Sequence, residues 1–350
     1  MIKLHITKSR TVILALILAI AALVGTWVTL KHNQSVPTTD SRSKTVSTVS
    51  GMVFDIEADP HMDENSDAAT YKQTLANIVS DKPSFLMDLG DIFMVDKQDD
   101  KSQANLTSRY ATMKDYYDLL GTIPLHFAMG NHDGEVGWDS LNTRNYRKTY
   151  FPDQTADKNY YSFEQNGSLF LVLDPYTYTT TKPNADSWGW TLGKEQYDWL
   201  TNTLQSSSAK YKFVFIHQLV GGDNQGRGGV EMAPFYEWGG KNLDGTDGFA
   251  TKRPGWAMPI HQLLKEHGVS AVFKGHDHLF VKQDLDGIVY QTLPQPSHAG
   301  DRITASYNYK EGILQGGSGY LRVTIGTTEA KVEYVKADGA KTVAYSYIIK

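Results

Sequence analysis

VFDIEADPH, residues 53–61, and VSAVFKGHDH, residues 269–278, read alike: each is a short apolar run that stops at residues able to bind a metal. Three more of the same kind lie between them, SFLMDLGD (84–91), LHFAMGNHD (125–133) and KFVFIH (212–217). Runs of this length and composition read as buried strands. If all five lay parallel in one sheet, their carboxyl ends would share an edge, where open α/β sheets place their ligands. Asp59, His61, Asp91, Asn131, His217, His276 and His278 would then converge from distant points in the chain. One metal ordinarily takes four protein ligands or fewer, so this set points to two adjacent metals.

The remainder of the 350-residue chain is compatible with that reading. It has 40% hydrophobic and 21% charged residues, ordinary for a globular protein with a full core. There is no cysteine, which excludes disulfides and thiolate metal sites. The donors that remain are His, Asp, Glu and Asn, a mixed nitrogen and oxygen set suited to Mn, Fe or Zn in divalent or trivalent form.

Residues 11–30, TVILALILAIAALVGTWVTL, contain no charge, and Lys3, Lys8 and Arg10 precede them. That length can span a bilayer, with the basic residues 1–10 on the cytoplasmic side. The run is longer than the apolar part of a usual signal peptide and lacks a clear small-residue cleavage site, so an uncleaved anchor is favoured over a secretory signal. Either way the rest of the chain is expected outside the cytoplasm. The formal net charge is −5, and residues 1–32 hold Lys3, Lys8, Arg10 and Lys31 with no acidic residue, which leaves the remainder at −9. An acidic body of that kind offers no basic surface for nucleic acid.

Residues 31–48 are rich in Ser and Thr and read as a linker, and residues 49–350 as the working domain. After Asn65 and Ser66, which can cap a helix, Tyr71, Leu75, Ile78 and Val79 recur at helical spacing up to Pro83. Further helices are expected over 103–120, with Leu106, Tyr110, Met113, Tyr117 and Leu120 inward, over 194–205, with Tyr197, Leu200 and Leu204 inward, and from Pro259 to His267. Strand–helix alternation predicts helices outside a mostly parallel sheet. Segments 287–293, 319–325, 330–336 and 342–348 alternate like antiparallel strands, with Ala337–Gly339 as a turn, and suggest a second sheet packed on the first. The long connections 174–190 and 218–256 read as functional or mobile loops.

Within the metal set, Asp59 and His61 fit a first ion together with Asp91 and His278. Asn131, His217 and His276 fit a second. Asp91 follows Gly90, and its two oxygens can bridge both ions. His132 follows Asn131 without being needed as a ligand, and is therefore the candidate general acid near neutral pH.

The order of these motifs resembles the calcineurin-like metallophosphoesterase superfamily, whose signature is D-x-H, G-D, G-N-H-D/E, a lone His, and G-H-x-H. Asp59/His61, Gly90/Asp91, Gly130–Asp133, His217 and Gly275–His278 match it in order, over roughly residues 50–295. The resemblance implies an α/β fold of four layers, an αββα sandwich of two mixed β-sheets flanked by helices. It also implies a binuclear centre, phosphoester hydrolysis by a metal-activated water, and His132 as general acid beside Asp91. Substrates would be phosphorylated small molecules, lipids or polymers. Many members have a final aspartate in G-D-x-x-D that orients the acid histidine. Met94 stands there in this chain; Asp96 or Asp133 could substitute, but neither follows from the sequence, and the orienting partner stays open. Met94 also stands where purple acid phosphatases have a metal-binding tyrosine, which argues against a ferric–tyrosinate centre.

Other polar residues carry weaker readings. Arg227, among glycines 221–229, fits a contact to a phosphate, and His298 in the 296–299 loop fits a place near the substrate. Asp277 reads equally well as a support for its neighbouring ligands or as a turn residue. His126 and His261 read as packing residues, His267 as a partner of helix-terminal carbonyls, and Asp63, Glu64 and Asp67 as helix-start acids. Trp188, Trp190, Tyr236, Trp238 and Trp256 fit either a cleft lining or loop packing. The rival functions are a noncatalytic metal-binding module that keeps the fold, and an interaction domain for a polymer or protein partner.

Overall fold

The computed structural model describes residues 51–62, 66–94, 100, 102–133, 158–177, 187–221, 226–300 and 309–350. The apolar segment 11–30, the linker 31–48, Asp63, Glu64, Asn65, Asp96 and Asp223 lie outside the described residues. Among the described residues no helix is long and apolar enough to cross a membrane.

The chain is mixed α/β with two mixed sheets. The first begins with β1 (Met52–Glu57), β2 (Leu86–Asp88) and β3 (Leu125–Phe127), which pair in parallel. Three carboxyl-terminal strands extend it from the other side of β1. These are β11 (Gly319–Ile325), β12 (Ala330–Lys336) and β13 (Val343–Ile349), so that the sheet runs β13-β12-β11-β1-β2-β3. The second sheet has a parallel centre of β5 (Ser168–Val172), β6 (Tyr211–Ile216), β7 (Ala271–Lys274) and β9 (Ile288–Thr292). Antiparallel β4 (Tyr161–Gln165) flanks it on one side, and β8 (Phe280–Leu285) and β10 (Ile313–Gln315) on the other.

This corrects two expectations. The five strands of the metal motifs do not share one sheet: β1, β2 and β3 belong to the first, β6 and β7 to the second. Nor do the carboxyl-terminal strands make a sheet of their own, since β9 joins β7 while β11–β13 build onto β1. An apolar strand shows that its faces are buried, but not which strand it will pair with.

Period-two burial explains the layering. In β6, Phe213 and Phe215 face the other sheet, while Val214 and Ile216 face helices. In β5, Phe170 and Val172 divide from Leu169 and Leu171 in the same way. Between the sheets Phe54 stacks on Phe85 at 5.1 Å and meets Phe170 edge-on at 5.3 Å; such pairs add about 0.5–1.5 kcal/mol each to the burial of their area.

On the outer face of the first sheet lie α1 (Ala68–Asp81) and α2 (Gln103–Tyr117). The cap of α1 is Asp67, whose carboxylate accepts from the Thr70 N–H at 2.6 Å, rather than Ser66. Tyr71, Leu75 and Ile78 are buried as spaced, but Val79 is 37% exposed and belongs to the outer face. The expected inward stripe of α2 is buried throughout, with Leu120 on a following 3-10 turn. Against the second sheet pack α3 (Gly193–Ser206) and, after two one-turn helices, α4 (Tyr236–Gly239) and α5 (Phe249–Lys252), the short α6 (Ile260–Glu266).

The described part of the long 218–256 connection is a folded element. Arg253 and Glu237, both buried, form an ion pair; Glu237 also accepts from the Leu192 N–H, and Arg253 donates to the carbonyls of Trp188 and Trp190. Trp188, Trp190, Tyr236 and Trp238 are each under 5% exposed, and Trp256 stacks on Tyr197 at 4.2 Å. These aromatics pack the connection down and do not line a cleft.

Candidate metal centre

The carboxyl ends of β1, β2 and β3 meet those of β6 and β7 where the edges of the two sheets come together, and each delivers its ligand-type residues into the turn that follows. Two groups result. Asp59, His61 and His278 form one, and Asp91, His217 and His276 the other, with the ligand atoms of each group within 4.8 Å of one another. Asn131 joins the second, its Oδ1 lying 3.2 Å from His217 Nε2. Asp91 sits between them: its Oδ2 is 3.1 Å from His217 Nε2 and 3.8 Å from His61 Nε2. All seven residues anticipated as ligands are therefore brought together.

The donor set fits cations by several independent signs. Asp59 Oδ1 and Asp91 Oδ2 are buried without a hydrogen-bond partner, although the other oxygen of each is used. Asp59 Oδ2 accepts from the His276 N–H at 2.8 Å and Asp91 Oδ1 from the His132 N–H at 2.7 Å. Buried carboxylate oxygens are rarely left unpaired in protein interiors. The Nε2 atoms of His61 and His278 lie 3.0 Å apart, and both face Asp59 Oδ1, at 3.7 and 3.3 Å. His217 Nδ1–H donates to the Leu89 carbonyl at 2.8 Å, which fixes the tautomer and leaves Nε2 facing the carboxylates.

Electrostatics agree. Burial disfavours the charged forms of Asp59 and Asp91, yet the imidazoles around them outweigh it and hold both carboxyls below their ordinary range. Burial likewise disfavours the His217 imidazolium, but Asp91 and Asp59 push it up to about 9. Were His217 to hold a cation through Nε2, it would have to give up that proton, so metal uptake would release protons. Burial, with His217 and Arg227 nearby, holds His276 well below its usual value and therefore neutral, the form that ligates.

Backbone conformation is the feature sequence reading missed. Asp59, His61, Asp91, His276 and His278 all have positive φ, between 45° and 72°. A non-glycine residue held there costs on the order of 1–3 kcal/mol and tends to mark functional sites. Hydrogen bonds between the turns hold the conformation: Asp59 N–H to Gly90 O at 2.9 Å, His61 N–H to Asp91 O at 3.1 Å, and Gly275 N–H to His217 O at 3.0 Å. Two glycines permit the approach. A Cβ on Gly130 would lie 2.1 Å from Asp91 N, and one on Gly275 would lie 2.6 Å from Asp59 Oδ2.

His132 is half-buried beside the cluster, its ring 5.7 Å from that of His61. Asp133 is fully buried, and its two oxygens accept from the Ile92 and Gly130 N–H groups, both at 2.8 Å, which fastens the turn after β3 to the turn after β2. Asp277, also fully buried, accepts from Lys274, Tyr309 and Gly228. Arg227 Nη1 donates to the His276 carbonyl at 2.9 Å, next to the cluster. His298 Nδ1 accepts from the Gly300 N–H at 2.9 Å, and the preceding Ser297 donates its hydroxyl to the Pro60 carbonyl, between Asp59 and His61. His126 stacks on Phe163 at 4.4 Å and His261 bonds Tyr290 and Asp286, both away from the centre. At His267, the cap of α6, the backbone N–H meets the Leu263 carbonyl.

A two-sheet α/β fold with a carboxylate–imidazole cluster at the strand ends defines a class, and comparison gives its family. The calcineurin-like phosphoesterase model matches residues 52–280, well over half of the chain, and the chain belongs to that family. Its fold is similar to GAP50, the anchor in the inner membrane complex of Plasmodium (TM-score 0.59, 13% identity, covering 85% of this chain and 88% of that one). It is similar to a dimetal phosphatase from Danio rerio (0.57, 12%, 85% and 98%). Purple acid phosphatase PPD1 from yellow lupin, Lupinus luteus, is similar over 86% of this chain and 54% of its own (0.57, 13%). At these identities the likeness concerns the fold alone. None of the curated proteins matches the chain.

Proposed function

We propose that this chain is a metal-dependent phosphoester hydrolase built on a four-layer αββα sandwich, with Asp59, His61 and His278 holding one cation, Asn131, His217 and His276 a second, and Asp91 shared between them. The observation that carries the reading is the pair of fully buried oxygens, Asp59 Oδ1 and Asp91 Oδ2, lying 3.3 Å from His278 Nε2 and 3.1 Å from His217 Nε2. Mn, Fe or Zn suits such a mixed donor set. Two such cations supply an acidified water and positive charge for the phosphoryl group.

The chain's own residues do the rest. His132, with its backbone fixed on Asp91, delivers a proton to the leaving oxygen. Asp133 keeps that turn in place, and Asp96 is a further candidate for orienting the acid. Arg227 contacts a non-bridging phosphoryl oxygen. The substrate is a phosphorylated small molecule, lipid or polymer. Residues 11–30 hold the chain at a membrane with the catalytic body outside the cytoplasm; recovery of full-length protein in the soluble fraction of cells would remove that anchor.

The test is hydrolysis of p-nitrophenyl phosphate and its bis ester after chelation and reloading with Mn, Fe or Zn. Activity that disappears with chelator and returns with metal supports the reading. No turnover of either ester by fully loaded protein would favour the second reading, a noncatalytic role on this fold, which the likeness to an anchoring protein brings forward.

A further inference from the structure

Asp277 stands between the two candidate histidine ligands of the GHDH turn, and its carboxylate meets four polar groups. Its Oδ2 accepts from Lys274 Nζ at 2.8 Å, from the Tyr309 hydroxyl at 2.6 Å and from the Gly228 N–H at 3.1 Å. Its Oδ1 lies 3.3 Å from Arg227 Nη1. These partners come from three separate places: the end of β7, the loop after β6, and the segment before β10. Lys274 is itself 1% exposed and donates to the Gly275 carbonyl, while the Arg227 side chain is 20% exposed. Tyr309 is further fixed by Thr292, 2.9 Å away on β9.

A buried carboxylate facing two cationic groups leaves local positive charge next to His276. One of those groups, Lys274, is sealed in. The other, Arg227, is partly open to solvent and tied to the main chain that carries the ligand, through the His276 carbonyl at 2.9 Å. A guanidinium offers five donors in a planar fork, so holding one nitrogen fixes the direction of the rest. We propose that Asp277 is a positioning residue for substrate: through its bond to Arg227 and its hold on Gly228 it sets the guanidinium at a fixed place beside the metal turn, where it receives a phosphate oxygen. Lys274 and Tyr309 hold the Asp277 carboxylate in orientation. This rests on the phosphoesterase reading for its ligand, and deepens it by naming what fixes the second recognition point for the phosphoryl group.

The test uses full-length, metal-loaded protein and inorganic phosphate as the probe, with binding read by calorimetry and metal content by elemental analysis. Arg227→Ala and Asp277→Asn each weaken phosphate binding about tenfold, the usual scale for a lost charge-assisted hydrogen bond. Both keep their metals. The double variant is no weaker than the worse single variant, because both remove the same contact. Added methylguanidinium restores binding to Arg227→Ala and fails to restore it when Asp277→Asn is also present.

Additive losses, wild-type phosphate affinity in Asp277→Asn, or loss of metal in that variant would overturn the proposal; the last would assign Asp277 to the histidines alone. If Asp277→Asn does not fold, Arg227→Lys replaces it. A lysine keeps the charge but not the fork, so binding falls at least fivefold, and unchanged affinity overturns the proposal. Protein that binds phosphate through Arg227 yet hydrolyses no ester would keep this inference while ending the enzymatic reading.

Discussion

Asp59 reaches the backbone N–H of His276 at 2.8 Å, across 217 residues of sequence and from one sheet to the other. One carboxylate thereby does two things. Its Oδ2 joins the turn after β1 to the turn after β7, and its buried Oδ1 faces His278 Nε2 at 3.3 Å. The two roles separate by substitution. Asp59→Asn keeps an acceptor for the His276 N–H and loses the charge, so metal content falls while the melting temperature of chelated protein changes little. Asp59→Ala loses both, and chelated protein is less stable by about 1–3 kcal/mol, the cost of leaving a buried donor unpaired. Equal melting temperatures for the two variants would show that the bond between the turns is unimportant to folding.

Gly130 is the point of closest approach between the turns after β2 and β3. An added Cβ would meet Asp91 N at 2.1 Å and Asp91 Oδ1 at 2.3 Å, the latter already bonded to the His132 N–H. Gly130→Ala is therefore expected to destabilise the chain by about 1–3 kcal/mol and to lower metal content, measured by thermal unfolding and elemental analysis. Wild-type values of both would mean that the turns are looser than described.

His132 tests the chemistry apart from the metals. His132→Ala retains metal, since no group of ligand atoms includes its ring, and its backbone still donates to Asp91. Loss of a general acid costs about 10²–10⁴-fold with a poor leaving group, and much less with p-nitrophenolate, which leaves without a proton. The ratio of alkyl to aryl ester turnover in this variant is the measurement, and an unchanged ratio would remove the assignment.

His126 supplies a pH dependence independent of the centre. Burial lowers its imidazole from the usual 6.5 to about 4, so the folded chain binds fewer protons than the unfolded chain between those values. Stability must then fall as pH drops from 6.5 through 4, by up to about 3 kcal/mol from this group. His126→Phe keeps the stack on Phe163 and removes that contribution. Denaturant unfolding of both chelated proteins at pH 7 and pH 4.5 should show wild type losing ~2 kcal/mol more than the variant. Parallel losses would contradict the burial of His126.

The buried Arg253–Glu237 pair holds the 218–256 connection against Trp188 and Trp190. Removing one partner of such a pair costs about 3–5 kcal/mol, so Arg253→Met is expected to lower the melting temperature sharply. Protease resistance of this connection in Arg253→Met equal to wild type would show that aromatic packing alone secures it.

Sequence carried the candidate ligands further than it carried the framework. Asp59, His61, Asp91, Asn131, His217, His276 and His278 were legible because each ends an apolar run, and the end of a strand is a place that chain direction marks. Which sheet each strand joins was not legible, because Phe54 and Phe213 have equally buried surroundings whichever neighbours they pair with. The left-handed backbone at five ligands was hidden, since Asp and His signal such a conformation far less than glycine does. The Glu237–Arg253 pair was hidden too: ion pairing inside an irregular connection follows no period. Val79 fits the helical stripe in spacing but lies at its margin, and Asp67 does not stand out as the cap because Asn65 and Ser66 before it have equally suitable side chains.

The most direct measurement is metal stoichiometry of chelated and reloaded protein, for the wild type and for His61→Ala and His276→Ala. Two ions per chain in the wild type are expected, with loss concentrated in a different member of the pair in each variant, visible as distinct remaining spectra with a paramagnetic metal. A saturated wild type holding one ion per chain or none would contradict the paired centre at the meeting edges of the two sheets.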